Sequence, residues 1–189
     1  MRITETRLPG VRLIEPPRHG DERGFFSETW NARVFSAAGI QAQFVQDNHS
    51  RTPEPYTLRG LHFQLPPHAQ GKLVRVSRGR VLDVAVDLRQ GSPHRGRHVA
   101  VELSAAAWNQ LWVPAGFAHG FLTLEPDCEV LYKVTDYYAP AAERGLRFDD
   151  PALGIAWPVP ADRVRANARD RGFPTLAELP ADLFQELAG

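Results

Sequence analysis

The stretch from Leu73 to Leu88 leaves this chain little choice of local structure. Leu73-Val74-Arg75-Val76-Ser77 runs into a turn at Arg78-Gly79. Val81 to Leu88 then puts Val84, Val86 and Leu88 on one face and Asp83 and Asp87 on the other. Alternation with period two marks a strand, because successive side chains leave a pleated backbone on opposite sides. The pattern continues beyond the break at Gly91-Ser92-Pro93. His98 to Leu103, Leu111 to Val113, Gly120 to Leu124 and Glu129 to Thr135 follow as short segments separated by Pro114, Gly116 and Pro126. The 15 Gly and 16 Pro are scattered as breaks, with no internal repeat. This predicts a mainly β chain, a short-strand barrel or jelly roll with a few small peripheral helices. Residues 1–189 read as one domain, with a barrel core over about 40–140 and a C-terminal segment, 141–189, that completes the site. Two places break the β pattern. Trp30, Val34, Phe35 and Ala38 recur at helical spacing, predicting a helix over 28–38 closed by Gly39. Thr175 to Leu187 carries two short amphipathic pieces split by Pro180.

Charge narrows the function classes. Lys plus Arg and Asp plus Glu number 22 each, a net charge of zero. Nucleic acid or an anionic membrane as partner calls for a basic surplus that this chain lacks, although a local basic pocket for one phosphorylated ligand is compatible with it. The lone Cys128 forms no intramolecular disulfide and fits a reducing compartment. Met1 to Gly10 contains no signal-like apolar run, and no stretch approaches the roughly 20 apolar residues of a membrane span. The expectation is a soluble, cytoplasmic protein.

Two histidines carry the first chemical signal. Arg59-Gly60-Leu61-His62-Phe63-Gln64 and Pro114-Ala115-Gly116-Phe117-Ala118-His119-Gly120-Phe121 resemble, in order, the two half-motifs of cupin barrels. A metal-binding cupin usually adds a His two residues after the first and a nearby Glu. Here that place is Phe63, and the next Glu is Glu102. His62 and His119 alone leave a transition metal short of ligands, and His68 follows Pro66-Pro67 in a loop, so no metal is expected. Lys72 and Tyr132 extend the set, and Tyr132 shares parity with Val130 and Val134. Imidazole, with an unperturbed pKa of ~6.5, is suited to taking a proton near neutrality. A phenol, at ~10, is suited to returning one, and an ammonium to stabilising an oxyanion. Base, oxyanion donor and acid are what carbon-acid chemistry beside a ketone needs. Each of these side chains taken alone serves equally well as a satisfied structural residue.

The order of the remaining motifs resembles one family throughout. Asp21-Glu22-Arg23-Gly24-Phe25-Phe26-Ser27-Glu28, Gln46-Asp47-Asn48-His49-Ser50, Leu58 to Gln64, Gln70 to Val76, Asp83 to Arg89 and Pro114 to Phe121 look like successive signatures of dTDP-4-dehydrorhamnose 3,5-epimerases. Tyr132-Lys133, Tyr137-Tyr138-Ala139-Pro140, Asp150-Pro151, Ile155-Ala156-Trp157-Pro158 and Arg169-Asp170 continue the series, which runs from about residue 3 to about residue 176.

The resemblance implies that His62 removes the proton beside the C4 ketone of a dTDP-4-keto-6-deoxyhexose, with Asp170 holding its tautomer. Lys72 would stabilise the enolate oxygen, and Tyr132 would protonate from the opposite face, at C5 and C3 in turn and without a cofactor. Arg23, Phe26, Glu28, Gln46, Asn48, Arg59, His119, Tyr138, Glu143 and Arg169 would hold the nucleotide sugar, with Phe26 and Tyr138 as stacking candidates for thymine. A homodimer with exchanged N-terminal strands, drawn from residues 1–15, is implied as well. The chain departs from the family pattern at Arg169, commonly Lys, and at Phe148-Asp149, where relatives commonly carry Trp-Asn. Two rivals stay open: an enzyme that inverts only C3 or only C5, and a cupin that binds a nucleotide sugar without acting on it.

Overall fold

The computed structural model of the protein describes residues 1–184. Two antiparallel sheets face each other. One contains β1 (Arg2–Glu5), β2 (Arg12–Glu15), β10 (Gln110–Val113), β7 (Lys72–Arg78), β12 (Cys128–Val134) and β5 (Gln46–Thr52), in that spatial order. The other contains β13 (Glu143–Gly145), β6 (Leu58–Gln64), β11 (Phe117–Thr123), β8 (Arg80–Asp87) and β9 (His98–Ser104). A separate two-stranded hairpin pairs β3 (His19–Asp21) with β4 (Gly24–Phe26). From β5 onward the chain passes repeatedly from one sheet to the other, as in a cupin-type jelly roll. The turn at Arg78-Gly79 is one such crossing: β7 and β8 are consecutive in sequence but belong to different sheets. Gly79 has a φ of +77°, and a Cβ there would sit 2.7 Å from Cys128 Sγ, so the corner has no room for a side chain.

Alternation along the strands builds two apolar layers. Val74, Val76, Val81, Ala85, Phe117, Phe121 and Val130 point between the sheets. Leu58, Leu61, Phe63, Val84, Val86, Ala118 and Leu122 point the other way, where Leu146, Phe148, Leu153, Val164 and Phe184 of the C-terminal segment cover them. The five-stranded sheet is therefore buried on both faces, and the Asp83 and Asp87 side of β8 is as buried as its valine side. Buried carboxylates need partners. Asp87 finds them in Arg89 at 2.7 Å and Ser92 at 2.8 Å, and Asp83 in His119.

A third cluster, with Ile14, Phe35, Ile40, Leu73 and Trp112, seats α1 (Ala32–Ala37) outside the six-stranded sheet. This helix is shorter than the 28–38 expected from periodicity. The Asn31 side chain accepts from the N–H groups of Arg33 and Val34 and caps it, leaving residues 28–30 outside. Its C-cap residue is Ala38, and Gly39 follows in the left-handed region at φ +80°. Of the two C-terminal pieces, the first is a single 3-10 turn, Leu176–Glu178. The second passes beyond Phe184 and so lies partly outside the described residues. Among the described residues, no helix is long and apolar enough to cross a membrane.

One irregularity positions the chemistry. His119 registers with His62, but Phe121 registers with Arg59, so β6 holds one extra residue opposite Gly120. Such a bulge shifts side-chain parity. It puts Arg59 and His62, three residues apart, on the same face, where strict alternation would separate them. Gly60 makes it possible: its φ is +135°, and a Cβ there would lie 2.6 Å from the Gly120 Cα.

Candidate active site

Directly opposed residues of an antiparallel pair project to the same face, so His62 and His119 enter the space between the sheets together. Lys72 of β7 and Tyr132 of β12 enter it from the facing sheet, with Tyr132 registered between Val74 and Asn48. These four side chains line one cavity of about 260 Å³, and Arg59, Tyr138, Glu143 and Asp170 complete its wall.

His62 Nε2 lies 2.9 Å from Asp170 Oδ1. Burial opposes ionisation of Asp170, but hydrogen bonds from His62 and from the Gly60 N–H at 3.0 Å outweigh it and hold the carboxyl below its usual range. An ionised carboxylate only accepts, so Nε2 carries the hydrogen and a neutral ring keeps its lone pair on Nδ1. Asp170 is itself fixed by α2 (Ala168–Arg171), whose N-cap Asn167 accepts the Asp170 N–H at 2.7 Å. His119 has a similar partner, with Nε2 at 2.9 and 3.0 Å from the two oxygens of Asp83, both residues being buried.

Lys72 donates to the His62 carbonyl at 3.3 Å. Burial pushes its pKa down to about 8, partly offset by the carboxylates of Asp83 and Glu143. Burial also raises the Tyr132 phenol, against the pull of Arg59, so it stays a proton donor across the neutral range. The Tyr132 hydroxyl has no hydrogen-bond partner among the described residues. Arg59 is held by neutral acceptors, Thr52 Oγ1 at 3.1 Å and the Arg51 carbonyl at 3.4 Å, which leaves its charge uncompensated. At the rim, Glu143 Oε2 accepts from the Tyr138 hydroxyl at 2.7 Å and from Arg169 at 2.5 Å. Gln46 donates to Asn48 at 2.8 Å and accepts the Tyr138 N–H at 3.0 Å, tying β5 to this rim.

Three expected binding residues lie elsewhere in the single chain. Arg23 and Phe26 sit on the β3–β4 hairpin, Arg23 paired with Asp21 at 2.5 Å and Phe26 72% exposed. Glu28 accepts from Asn31 Nδ2 at 3.1 Å. None of the three lines the cavity. Sequence reasoning passed over Asp83 as a binding partner, Asn167 as a cap and Phe173 altogether. The Phe173 ring meets His62 edge-on at 5.6 Å and 87°. It lies over Gly145, the residue registered with His62, where a Cβ would come within 2.3 Å of it. The alternation put Asp83 on the face of β8 opposite Val84, Val86 and Leu88 without marking that face as inward, and nothing in the sequence pattern marked Phe173. The two other departures fall away from the cavity. Phe148 is buried in the outer layer against Trp157, and Asp149 pairs with Arg147 at 3.2 Å.

Comparison with known proteins bears on the whole of this arrangement. The sequence profile of dTDP-4-dehydrorhamnose 3,5-epimerase matches residues 5–178. A dTDP-4-dehydrorhamnose 3,5-epimerase of Sinorhizobium fredii is 51% identical over 180 residues, covering 95% of this chain and 92% of that one. One from Pseudomonas aeruginosa is 49% identical over 185 residues, covering 97% and 99%. The crystal structure of dTDP-6-deoxy-D-glucose-3,5-epimerase from Legionella pneumophila in complex with dTDP-4-keto-L-rhamnose superposes with a TM-score of 0.91 at 43% identity, covering 97% of this chain and 96% of that one. Agreement of sequence and backbone over nearly the full length leaves one assignment: the chain belongs to the dTDP-4-dehydrorhamnose 3,5-epimerase family.

Proposed function

We propose that this chain is a dTDP-4-dehydrorhamnose 3,5-epimerase, inverting C3 and C5 of dTDP-4-keto-6-deoxyglucose. The observation that carries the reading is the placement of a His–Asp pair and an unpartnered phenol on facing sheets across one cavity. A ketone at C4 acidifies the C–H bonds on both sides. His62 takes the proton through Nδ1, with the resulting imidazolium stabilised by Asp170. Negative charge moves onto the ketone oxygen, where the Lys72 ammonium stabilises it. Tyr132 then protonates the same carbon from the other face, and that change of face inverts the centre. Arg59, with no carboxylate partner among the described residues, suits the diphosphate.

Epimerisation in heavy water tests this directly. Deuterium should enter at both C3 and C5 with the wild-type protein, and His62→Asn should slow entry at both by about 10²–10⁴-fold. Incorporation at a single carbon would identify a monoepimerase. Incorporation unaffected by His62→Asn would overturn the assignment of the base, and none at all would leave a binding protein.

The functional unit in this reading is a homodimer. β1 is the edge of its sheet, and the β3–β4 hairpin presents Phe25 and Phe26 at 52% and 72% exposure, beside Arg23. A partner copy that takes up β1 and receives this hairpin buries those rings and brings Arg23, Phe26 and Glu28 to the neighbouring cavity. We place the protein in the cytoplasm, where the buried thiol of Cys128 stays unpaired.

A further inference from the structure

The connection between β8 and β9 reads Gly91-Ser92-Pro93-His94-Arg95-Gly96-Arg97, with three positively charged or titratable side chains and no acid. It is tied down around Asp87: the Asp87 N–H donates to the Arg97 carbonyl at 2.9 Å, and the Gly96 N–H donates to the Asp87 carbonyl at 2.8 Å. Gly96, at φ +80°, lies against Leu176, where a Cβ would come within 2.6 Å of the leucine. This loop, the β1–β2 turn and the segment 152–154 enclose a cleft of about 760 Å³ that shares no lining residue with the active-site cavity. Arg7, Arg95, Arg97, His94 and His98 line it, and among the described residues no carboxylate does.

Two of these guanidinium groups, Arg7 and Arg95, are held by neutral partners. Elsewhere, Arg2, Arg23, Arg51 and Arg80 each face a carboxylate. In the cleft the partners are neutral. Arg7 donates to His98 Nε2 at 3.3 Å, and His98 in turn donates from Nδ1 to the Leu153 carbonyl at 3.0 Å. Burial, and then the Arg7 charge, lower the His98 pKa, which keeps that ring a neutral acceptor. Arg95 donates to the Pro180 carbonyl at 3.1 Å. Neutral acceptors orient a guanidinium without cancelling its charge, as Thr52 and the Arg51 carbonyl do for Arg59 in the active site. Leu8, Leu153 and Leu176 supply an apolar wall. The volume lies within the roughly 300–1,000 Å³ typical of small-molecule sites.

We propose that this cleft is a second ligand site, taking a small phosphorylated molecule whose phosphoryl oxygens meet Arg7, Arg95 and Arg97 and whose apolar part rests on Leu153 and Leu176. Planar forks of donors with no competing acid match such an oxyanion.

Titration of the full-length protein with inorganic pyrophosphate, followed through the imidazole NMR signals, separates the two cavities by residue. The signals of His94 and His98 should move together and saturate, whatever happens at His62 and His119. In the double variant Arg95→Gln/Arg97→Gln, the His94 and His98 response should weaken at least tenfold, because the charge-assisted contacts of both guanidinium groups are lost. Its His62 and His119 response and its epimerase rate should match wild type, reporting an intact fold. Arg7→Gln alone should weaken the same response. Movement confined to His62 and His119, or an equal response of His98 in the double variant, would overturn the proposal.

Discussion

Lys72 is buried, and burial brings its pKa down to about 8 against the pull of Asp83 and Glu143. If its positive charge stabilises the enolate, kcat/KM falls as pH rises through about 8, because the free enzyme loses that charge there. Lys72→Arg keeps the charge to far higher pH, so this alkaline limb should move upward even if the rate itself drops. A limb that stays put in Lys72→Arg would assign it to another group. Phe173 offers a second test among single residues. Its ring packs edge-to-face with the His62 imidazole, and an aromatic pair of this kind contributes about 0.5–1.5 kcal/mol. Phe173→Ala should lower kcat by several-fold to about tenfold with KM little changed, and Phe173→Leu should recover part of the loss. A rise in KM alone would make it a binding wall rather than a positioning residue.

Among the elements, the shortest ones decide the site. α2 has four residues, too few for a periodic pattern to register, yet it aims Asp170 at His62. Asn167→Ala should cost about 1 kcal/mol as a lost cap and should slow proton abstraction by loosening Asp170; denaturant midpoint and exchange rate at C5 measure the two effects. The bulge in β6 is equally demanding. Gly60→Ala adds a side chain where φ is +135° and Gly120 is in the way, and a strained backbone alone costs about 1–3 kcal/mol. Thermal unfolding should show that loss before any assay of turnover.

The strands were legible in the sequence because alternation survives in β7, β8 and β12. Their assignment to sheets was not, since β7 and β8 read like neighbours and belong to opposite walls. The same limit hid the bulge: a one-residue change of parity between Arg59 and His62 leaves no mark in composition and becomes visible only in the register with β11.

For the molecule as a whole, the exposed hairpin is the largest apolar surface left to cover. If the proposed homodimer uses this hairpin, Phe25→Ser with Phe26→Ser should leave the protein sedimenting as monomers and raise KM for the nucleotide sugar, while the His62–Asp170 pair remains intact. Retention of both dimer and KM would remove the hairpin from the site. Sequence motifs identified Arg23, Phe26 and Glu28 as binding candidates but carry no information about which copy's cavity a residue serves, so their distance from the chain's own pocket was not foreseeable. The facing sheets have a consequence of their own. The proposed base and acid hang from separate walls, and packed sheets stand roughly 10 Å apart at a spacing set by the side chains between them. Val76 and Val130, buried in that layer, would therefore act as the gauge of the proton's path. Thinning that layer with Val76→Ala would cost roughly 2 kcal/mol of stability. It would also alter how far the sugar carbon sits from one wall or the other, so turnover should suffer more than affinity from a change made wholly inside the hydrocarbon filling.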